Sequence, residues 1–498
     1  MTRELDAAAV VEYFRGKNIL ITGSTGFLGK VFVEKILRVQ PDVKKLFLLV
    51  RAVDVESAKQ RVQTELTTRE IFQILKDKHG IGFEDFIQEK ICPLPGDIMY
   101  ENLGLGNAQL TELYKDIDII INGAATTNFF ERYDVAFASN VLGVKRICGF
   151  AKNCDKLKML LHVSTAYVAG EQEGLLQEKP LLMGETLKEG THLDIESELK
   201  LIEDTRIELK ANCPSERAEK KTMKELGLKR AREFGWPNSY VFTKAMGEML
   251  LGHLRGELPV VIFRPSIITS IFKEPLPGWT EGVRTIDTVI IAYAKQALSF
   301  FLVDLDPTMD VIPGDMVVNA MMVAVAANSE EQAQTIYHVT SSLRNPTNYS
   351  LLADSTHRYF LHHPPSSGKN GESFRLRRMR FFSTVARFRV YMAIKYKLPL
   401  EILHLVNIAL CGALSRRYKE LSRKYNYVMH LIELYAPYTL YKGCFDDMNT
   451  ERLRVSMKNK EQDTNVGYEF GFDPKTIDWD EYFYSIHIPG VIKYLISD

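Results

Sequence analysis

The chain has 498 residues, of which 46% are hydrophobic and 25% charged, as expected for a globular protein of two or three domains. Lys and Arg number 63 and Asp and Glu also number 63, so the formal net charge is zero and no nucleic-acid partner is indicated. The six cysteines form no CxxC pair, which favours reduced thiols in a cytosolic compartment over a disulfide framework or a metal site.

Short apolar runs alternate with helical patterns through the first 170 residues, which predicts βαβ units and a parallel sheet. The predicted strands are residues 18–22, 45–50, 91–94, 117–122, 159–164 and, later in the chain, 259–264. Six such strands with intervening helices predict an α/β fold with a Rossmann-type doubly wound sheet.

The first strand runs into the sequence ILITGSTGFLGK, in which three glycines have the spacing GxxGxxG. Gly23 suits the tight turn, Gly26 suits close approach to a pyrophosphate, and Gly29 suits close packing of the helix on the sheet. The pyrophosphate would then lie at the helix N-terminus. The predicted cofactor-binding turn comprises Gly23, Ser24, Thr25, Gly26, Phe27, Leu28 and Gly29.

The second strand, LFLLV, ends in Arg51, whose guanidinium suits the 2′-phosphate of NADP. An acid at this place would favour NAD, and Asp54 lies slightly further on, so NADP is preferred with NAD as the alternative. Further strand ends predict the rest of the cofactor wall. These residues are Asp97, Ile98, Asn122, Ala124 and Pro265.

A YxxxK motif at Tyr240 and Lys244 follows the fifth predicted strand. On a helix these side chains share one face, and a lysine charge near the phenol lowers the pKa of a tyrosine, which makes Tyr240 a candidate proton donor. The hydroxyl that holds the substrate oxygen is expected at Thr165, with Ser164 as the competing candidate. Together these residues predict hydride transfer to a carbonyl carbon.

The domain organisation is predicted from composition. Residues 1–362 form the nucleotide-binding and catalytic domain, with substrate-binding insertions at about 172–236 and 270–362. The stretch HHPPSSGKNGES contains the linker, 363–373, and residues 374–498 are expected to be mostly helical. No apolar run is long enough to span a membrane, and residues 398–414 are interpreted as a buried or interfacial helix. Asp315 is expected to cap the N-terminus of an apolar helix.

Six segments together resemble the alcohol-forming fatty acyl-CoA reductases, particularly the plant members, within the extended short-chain dehydrogenase/reductase superfamily. These segments are ITGSTGFLGKVFVEKILR, LFLLVRA, HVSTAYVAGEQEG, YVFTK, FRPSII and FGFDPKTIDWDEYFYSIHIPGVIKYL. The resemblance covers essentially the whole chain. It implies that a long- or very-long-chain acyl-CoA takes one hydride from NADPH, loses CoA to give a bound aldehyde, and takes a second hydride to give a primary alcohol.

A long acyl chain requires an apolar site in the protein and favours contact with a membrane. The apolar run 290–305 suits the wall of an acyl tunnel, although ordinary core packing explains it equally well. Residues 374–397 hold eight basic residues with no acid between them, and five aromatic residues interleave with these, which favours contact with an anionic membrane surface. We therefore expect a peripheral enzyme on the cytosolic face of the endoplasmic reticulum. Cytoplasmic and plastid locations are the alternatives.

Other functions compatible with the nucleotide-binding motifs are reduction of a ketone or a sugar nucleotide by the same fold, and a non-catalytic NADP-binding scaffold. The segment after residue 373 argues against the first, because such enzymes do not require it. The presence of both Tyr240 and Lys244 argues against the second. A product that stops at the aldehyde is a third possibility, since it depends on whether the aldehyde stays bound.

Overall fold

The computed structural model describes residues 5–212, 215–295, 300–329, 331–364, 378–457 and 470–496. The strands in these residues are β1 (Asn18–Thr22), β2 (Lys45–Val50), β3 (Ile91–Pro95), β4 (Ile119–Asn122), β5 (Met159–Val163), β6 (Gly174–Leu176), β7 (Val260–Pro265), β8 (Ile267–Thr269), β9 (Phe300–Leu302), β10 (Thr308–Met309), β11 (Val311–Pro313), β12 (Gln334–Val339), β13 (Thr347–Asn348), β14 (Arg380–Phe382) and β15 (Gly443–Phe445).

The α-helices of the same residues are α1 (Ala7–Tyr13), α2 (Phe27–Val39), α3 (Val55–Val62), α4 (Gln73–His79), α5 (Phe83–Lys90), α6 (Asn107–Asp116), α7 (Tyr133–Phe137), α8 (Gly143–Lys152), α9 (Ile195–Ala211), α10 (Glu216–Glu233), α11 (Ser239–Leu254), α12 (Thr285–Ala294), α13 (Gly314–Asn328), α14 (Tyr349–His362), α15 (Val385–Met392), α16 (Leu398–Ala409), α17 (Ser415–Thr439), α18 (Met448–Ser456), α19 (Trp479–Glu481) and α20 (Ile488–Val491). Wider π turns continue several of them, including Ala393–Lys397 and Tyr482–His487.

Seven strands form one parallel sheet in the order β12-β7-β5-β4-β1-β2-β3. The chain winds outward from β1 in both directions, so the switch point lies between β1 and β4, and ligands of such sheets bind beyond the carboxyl ends there. The predicted Rossmann-type fold is confirmed, and the six predicted strands match β1, β2, β3, β4, β5 and β7 to within two residues. The edge strand β12 was not predicted.

Both faces of this sheet are covered, which explains why its central strands are continuous apolar runs rather than alternating ones. Alternate residues of β1 enter different cores. Ile19 and Ile21 join the cluster that contains α2 and α13, whereas Leu20 joins the cluster that contains α6 and α8. The buried sheet therefore gives the strand ends above it a rigid base.

The region after residue 378 is mostly helical, as expected, and it contacts the nucleotide-binding part at several places. Strand β14 pairs with β9, and β15 pairs with β6. Residues of the C-terminus, including Tyr482 and Ile488, belong to the same buried cluster as the first strand. The linker 363–373 lies largely outside the described residues, so the division at that point stays a prediction.

One local expectation was wrong. The N-cap of α13 is Pro313, and the carboxylate of Asp315 instead accepts 2.8 Å hydrogen bonds from the backbone N–H groups of Phe272 and Lys273. Helix α16, expected to be buried or interfacial, is not buried, because most of its apolar side chains are exposed. Its interfacial position stays a prediction. Within the described residues, no helix combines the length and the apolarity that crossing a bilayer requires.

Candidate active site

A cavity of about 820 Å³ lies beyond the carboxyl ends of β1 and β4. All the predicted site residues line it except Ser24 and Asn122. The two exceptions are buried behind the wall, and Asn122 there accepts a 2.7 Å hydrogen bond from the hydroxyl of Thr22. The structure thus brings the glycine turn and the YxxxK motif, more than 200 residues apart in sequence, to one cavity.

The glycine turn has no room for side chains at two of its positions. Gly23 has a φ of +72°, and a Cβ there would come within 2.7 Å of the backbone nitrogen of Ala124. A Cβ on Gly29 would lie 2.3 Å from the carbonyl oxygen of Gly23. Gly26 is the N-cap of α2. The turn therefore brings bare backbone and a helix N-terminus to the cavity, which fits the pyrophosphate of a dinucleotide.

Two arginines line the cavity near the end of β2, where the sequence predicted one. Arg51 is exposed and lines the cavity, and Arg61 of α3 lines it as well while donating a 2.8 Å hydrogen bond to the carbonyl oxygen of Arg51. Asp54 accepts a 2.7 Å hydrogen bond from the N–H of Ser57 and caps α3. Asp54, the acid that left NAD as the alternative, therefore serves as the N-cap of α3. No sequence pattern marked Arg61, because it lies 10 residues after Arg51.

A further cation faces the beginning of α2. The guanidinium of Arg284 lies 4.2 Å from the ring centroid of Phe27, and Trp279 stacks against the same ring at 5.3 Å. Arg284 also lines the cavity, while Asp287 accepts a 2.9 Å hydrogen bond from its backbone N–H. Among the described residues that line the cavity, the cationic ones are Arg51, Arg61, Lys244 and Arg284. Arg284 is the one beside the glycine turn.

The segment that carries Arg284 is held from two sides. Glu281 accepts a 2.7 Å hydrogen bond from the ammonium of Lys30 on α2. Asp287 lies 3.3 Å from Nε2 of His487, and both side chains are fully buried. His487 comes from the C-terminal part of the chain, so that part fixes one wall of the cofactor cavity.

Helix α11 positions the YxxxK motif. Asn238 caps its N-terminus by accepting from the N–H of Val241 and donates through its side chain to the hydroxyl oxygen of Tyr438 at 2.8 Å. One turn separates Tyr240 from Lys244, so both reach the cavity, where Thr165 and Ser164 of the β5 end also lie. The proton donor, the cation and the hydroxyls of the sequence prediction are therefore in one place.

Lys244 is buried and held by β5. Its ammonium donates a 2.7 Å hydrogen bond to the carbonyl oxygen of Val163 and lies 3.4 Å from Nε2 of His162. Burial lowers the pKa of Lys244 to about 8, although the charge of Glu248 opposes this shift. Sequence reasoning did not single out His162, since a histidine within a buried strand has no distinguishing pattern.

A chain of hydrogen bonds behind the cavity ends at His162. The N–H of Ala124 donates to the Thr22 hydroxyl at 3.1 Å, and that hydroxyl donates to the Asn122 side-chain oxygen. The side-chain amide of Asn122 lies 3.0 Å from Nδ1 of His162. Burial lowers the pKa of His162 well below its usual value, so the ring beside Lys244 is neutral.

The pKa of Tyr240 differs from the sequence expectation. Burial raises it to about 12, and a hydrogen bond with Thr165 opposes the rise. The expected lowering by Lys244 is absent because the ammonium is directed to Val163 rather than to the phenol. Of the two candidate hydroxyls, Thr165 contacts Tyr240, whereas the buried Ser164 hydroxyl has no hydrogen-bond partner among the described residues.

Phe129 and aromatic residues of α17 form the wall next to Tyr240. Phe129 stacks on Tyr240 with ring centroids 5.8 Å apart and on Tyr438 at 4.9 Å. The backbone carbonyl of Tyr438 accepts a hydrogen bond of 3.4 Å from the hydroxyl of Tyr349. The C-terminal region thus contributes directly to the surroundings of Tyr240.

A second, apolar cavity of about 230 Å³ adjoins this wall through Tyr349, which donates to the Tyr438 carbonyl oxygen. Its lining includes Tyr349 and Thr439, which connect it to the aromatic wall, and it also includes five residues of the predicted tunnel segment. These five are Ile290, Tyr293, Phe301, Val303 and Leu305. The run 290–305 therefore borders a cavity, apart from residues 296–299, which lie outside the described residues.

The fold and the site define a reductase of the short-chain dehydrogenase type. Two family models, both described as male sterility protein, match residues 21–321 and 395–498. The terminal reductase domain of the myxalamid biosynthetic pathway has the same fold, with a TM-score of 0.57 and 17% identity over 98% of this chain and 95% of that domain. The likeness to this structure shows the fold.

Full-length relatives specify the family. Fatty acyl-CoA reductase 1 of Arabidopsis thaliana is 50% identical over 490 residues, which cover 98% of this chain and 99% of the relative. The alcohol-forming fatty acyl-CoA reductase of Simmondsia chinensis is 45% identical over 495 residues, covering 99% and 100%. The chain belongs to the fatty acyl-CoA reductase family, which confirms the resemblance inferred from the sequence.

Proposed function

We propose that the protein reduces a long-chain fatty acyl-CoA to the primary alcohol through a bound aldehyde, with NADPH as the reductant. The observation that carries the proposal is the convergence of Tyr240, Lys244 and Thr165 with the glycine turn in one cavity. The apolar cavity adjoining the aromatic wall supports a long acyl chain as substrate. The relatives named above, which act on acyl-CoA by their names, support the same conclusion.

The chemistry requires two additions of hydride and proton. NADPH, when bound, supplies each hydride to the carbonyl carbon. Tyr240 donates a proton to the carbonyl oxygen, and Thr165 holds that oxygen as negative charge develops on it. After the first addition the hemithioacetal collapses, the carbon–sulfur bond breaks, and CoA leaves as the thiol. After the second addition the aldehyde becomes the alcohol, so two NADPH and two protons are consumed for each CoA released.

Lys244 has the task of orienting the cofactor beside Tyr240. Its ammonium, held by the Val163 carbonyl oxygen and close to His162, lies one helical turn from the phenol and can donate to a ribose hydroxyl there. Such a charge-assisted hydrogen bond requires the protonated amine. The aromatic wall made by Phe129 and Tyr438 keeps water from the reacting carbon on that side.

Two observations support NADPH rather than NADH. Arg51 and Arg61 both line the cavity at the end of β2, where a 2′-phosphate would lie. Asp54, the nearby acid, is used as the cap of α3. Arg284 beside the glycine turn provides positive charge for the pyrophosphate, which both cofactors carry.

The deciding experiment supplies purified protein with NADPH and acyl-CoA substrates of increasing length, and identifies the lipid products. We expect primary alcohol, with two NADPH oxidised for each CoA released. One NADPH per CoA with accumulating aldehyde would contradict the second reduction. Absence of turnover with every thioester, in protein that binds NADPH, would instead favour a ketone or sugar nucleotide as substrate.

We also propose that the protein acts as a peripheral enzyme on the cytosolic face of the endoplasmic reticulum. Long-chain acyl-CoA partitions into bilayers, and exposed cations lie along residues 378–397. Four predicted members of the basic–aromatic stretch, residues 374–377, lie outside the described residues. Fractionation of cells with an epitope-tagged protein tests the location. Recovery with plastids, or wholly in the cytosol at low salt, would contradict the proposal.

A further inference from the structure

One helix of the C-terminal region presents an apolar stripe to solvent. Helices α15 and α16 are joined through the π turn Ala393–Lys397, so residues 385–409 are continuously helical. Six large aliphatic side chains on it are between 54% and 66% exposed, at spacings of four, four, four, three and three residues. They are Val390, Ile394, Leu398, Ile402, Leu405 and Ile408. This spacing keeps them on one side of the helix.

The opposite side of the helix is already packed. Phe388 and Met392 are buried in a cluster with Phe300, Phe301 and Ile432. At the end of α16 the side chain of Asn407 accepts a 2.8 Å hydrogen bond from the N–H of Leu414, which fixes the turn into α17. The helix is therefore held in place by its inner face, and rotation that would bury the stripe would expose this cluster.

Positive charge surrounds the stripe. Nine exposed basic residues lie between positions 385 and 424, namely Arg387, Arg389, Lys395, Lys397, Arg416, Arg417, Lys419, Arg423 and Lys424. The acids in the same interval are Glu401 and Glu420, and Glu420 accepts a 2.8 Å hydrogen bond from Lys424. An apolar stripe flanked by cations is the surface that a bilayer with anionic headgroups accommodates.

We propose that the stripe inserts between the lipids of an anionic bilayer while the flanking cations bind the headgroups. The proposal rests on the proposed function, since the acyl-CoA partitions into that bilayer. It extends the electrostatic contact expected from residues 374–397, because the inserting side chains reach to Ile408 and are aliphatic. A second copy of the chain is disfavoured as the occupant, since two such faces would bring eighteen cations together.

Binding of this helix to a bilayer would also bring the apolar cavity near the membrane surface. Met379 and Phe381, a few residues before α15, line that cavity together with residues of α12 and α14. Because β14 is paired with β9, the segment that leads into the docked helix is also a wall of the cavity. The proposed acyl site thus lies next to the membrane surface, and the acyl chain need not cross water to reach it.

The test compares flotation of the full-length protein with vesicles of phosphatidylcholine alone and with 30% phosphatidylserine, at about 0.1 M salt so that surface charges remain effective. The stripe variant replaces Leu398, Ile402 and Leu405 with Ser, and we expect it to lose binding by at least about tenfold. The charge variant replaces Arg387, Arg389, Lys395 and Lys397 with Gln. It should lose the preference for phosphatidylserine by at least about tenfold.

The control is Ile81→Ser, which removes a fully exposed aliphatic side chain from the nucleotide-binding part and should float like the wild type. Turnover of hexanoyl-CoA, which stays in water, should be unchanged in the stripe variant, and this separates loss of docking from misfolding. Wild-type protein that turns over hexanoyl-CoA but does not float overturns the docking proposal alone. Unchanged flotation of the stripe variant also overturns it, as does a dimer that the variant converts to monomer.

Discussion

The ammonium of Lys244 lies 2.7 Å from the carbonyl oxygen of Val163, so the last residue of β5 fixes the cation one helical turn from the proposed acid. His162, the preceding residue, faces the same ammonium with a neutral ring. Two consecutive residues of one strand thus restrain Lys244, and Ser164 and Thr165 follow immediately. The strand end organises the cation and the hydroxyls together.

The protonation of Lys244 should set the alkaline limit of activity. Its pKa is lowered to about 8 by burial, so the charge is present below pH 8 and is lost as the pH rises through this value. Because the ammonium is the form that donates a charge-assisted hydrogen bond to the ribose hydroxyl of the cofactor, kcat/KM should fall above about pH 8. A profile of kcat/KM against pH with a water-soluble acyl-CoA measures this alkaline decline. Lys244→Arg should shift the decline to higher pH, since arginine keeps its charge. A flat profile up to pH 10 would contradict the assigned role.

Replacing Tyr240 with Phe should lower kcat by about 10²- to 10⁴-fold, the usual contribution of a positioned proton donor. The ring stack with Phe129 is kept, so NADPH should bind with unchanged affinity, as measured by fluorescence titration. The control is Tyr435→Phe, which removes a hydroxyl from the same aromatic wall and should retain turnover. Equal activity of the Tyr240 variant and the wild type would exclude the tyrosine as the acid.

The two neighbouring hydroxyls should differ in effect. Thr165→Val removes the group that contacts Tyr240 and should reduce kcat by about 10- to 100-fold, since an oxyanion donor is lost. Ser164→Ala removes a buried hydroxyl without a hydrogen-bond partner in the described residues, so a small change is expected. Steady-state kinetics of both variants decide between them, and the reverse order of effects would assign the role to Ser164.

The sequence predicted the parts of the site that follow local rules. The glycine spacing, the residue after a strand and the YxxxK repeat depend on neighbours within a few positions, and Gly23, Arg51, Tyr240 and Lys244 all reach the cavity. The direction of the Tyr240 pKa was wrong, because it depends on where Lys244 donates, and that is set by Val163 on a distant strand.

Site residues on segments that are distant in sequence from the recognised motifs were not predicted. Arg284 and Tyr438 reach the site on segments packed by contacts between distant parts of the chain, such as Asp287 with His487. Strand β12 was missed because its sequence, QTIYHV, mixes polar and apolar residues, and its place at the sheet edge follows only from pairing with β7. The periodicity of α16 left open whether the helix is buried or interfacial, since it does not show which elements pack against the apolar side chains.

Arg51 and Arg284 should have separable effects on cofactor binding. Arg51→Gln should weaken NADPH by about tenfold or more and leave NADH nearly unchanged, because only NADPH carries the 2′-phosphate. Arg284→Gln should weaken both cofactors to a similar extent, since both carry the pyrophosphate beside Phe27. Titration of each variant with both nucleotides gives the comparison. A raised KM for acyl-CoA alone in the Arg284 variant would assign this cation to the CoA phosphates.

The buried ion pair between Glu248 and Arg264 should contribute strongly to stability. Their side chains are 1% and 4% exposed, and Arg264 donates through Nε at 3.1 Å and through Nη2 at 2.5 Å. Glu248→Ala leaves a buried guanidinium without its partner, so unfolding should become easier by about 3–5 kcal/mol. Glu420→Ala, which breaks the exposed contact with Lys424, should cost less than about 0.5 kcal/mol. Urea denaturation of both variants measures the difference, and equal midpoints would show that the buried pair makes no special contribution.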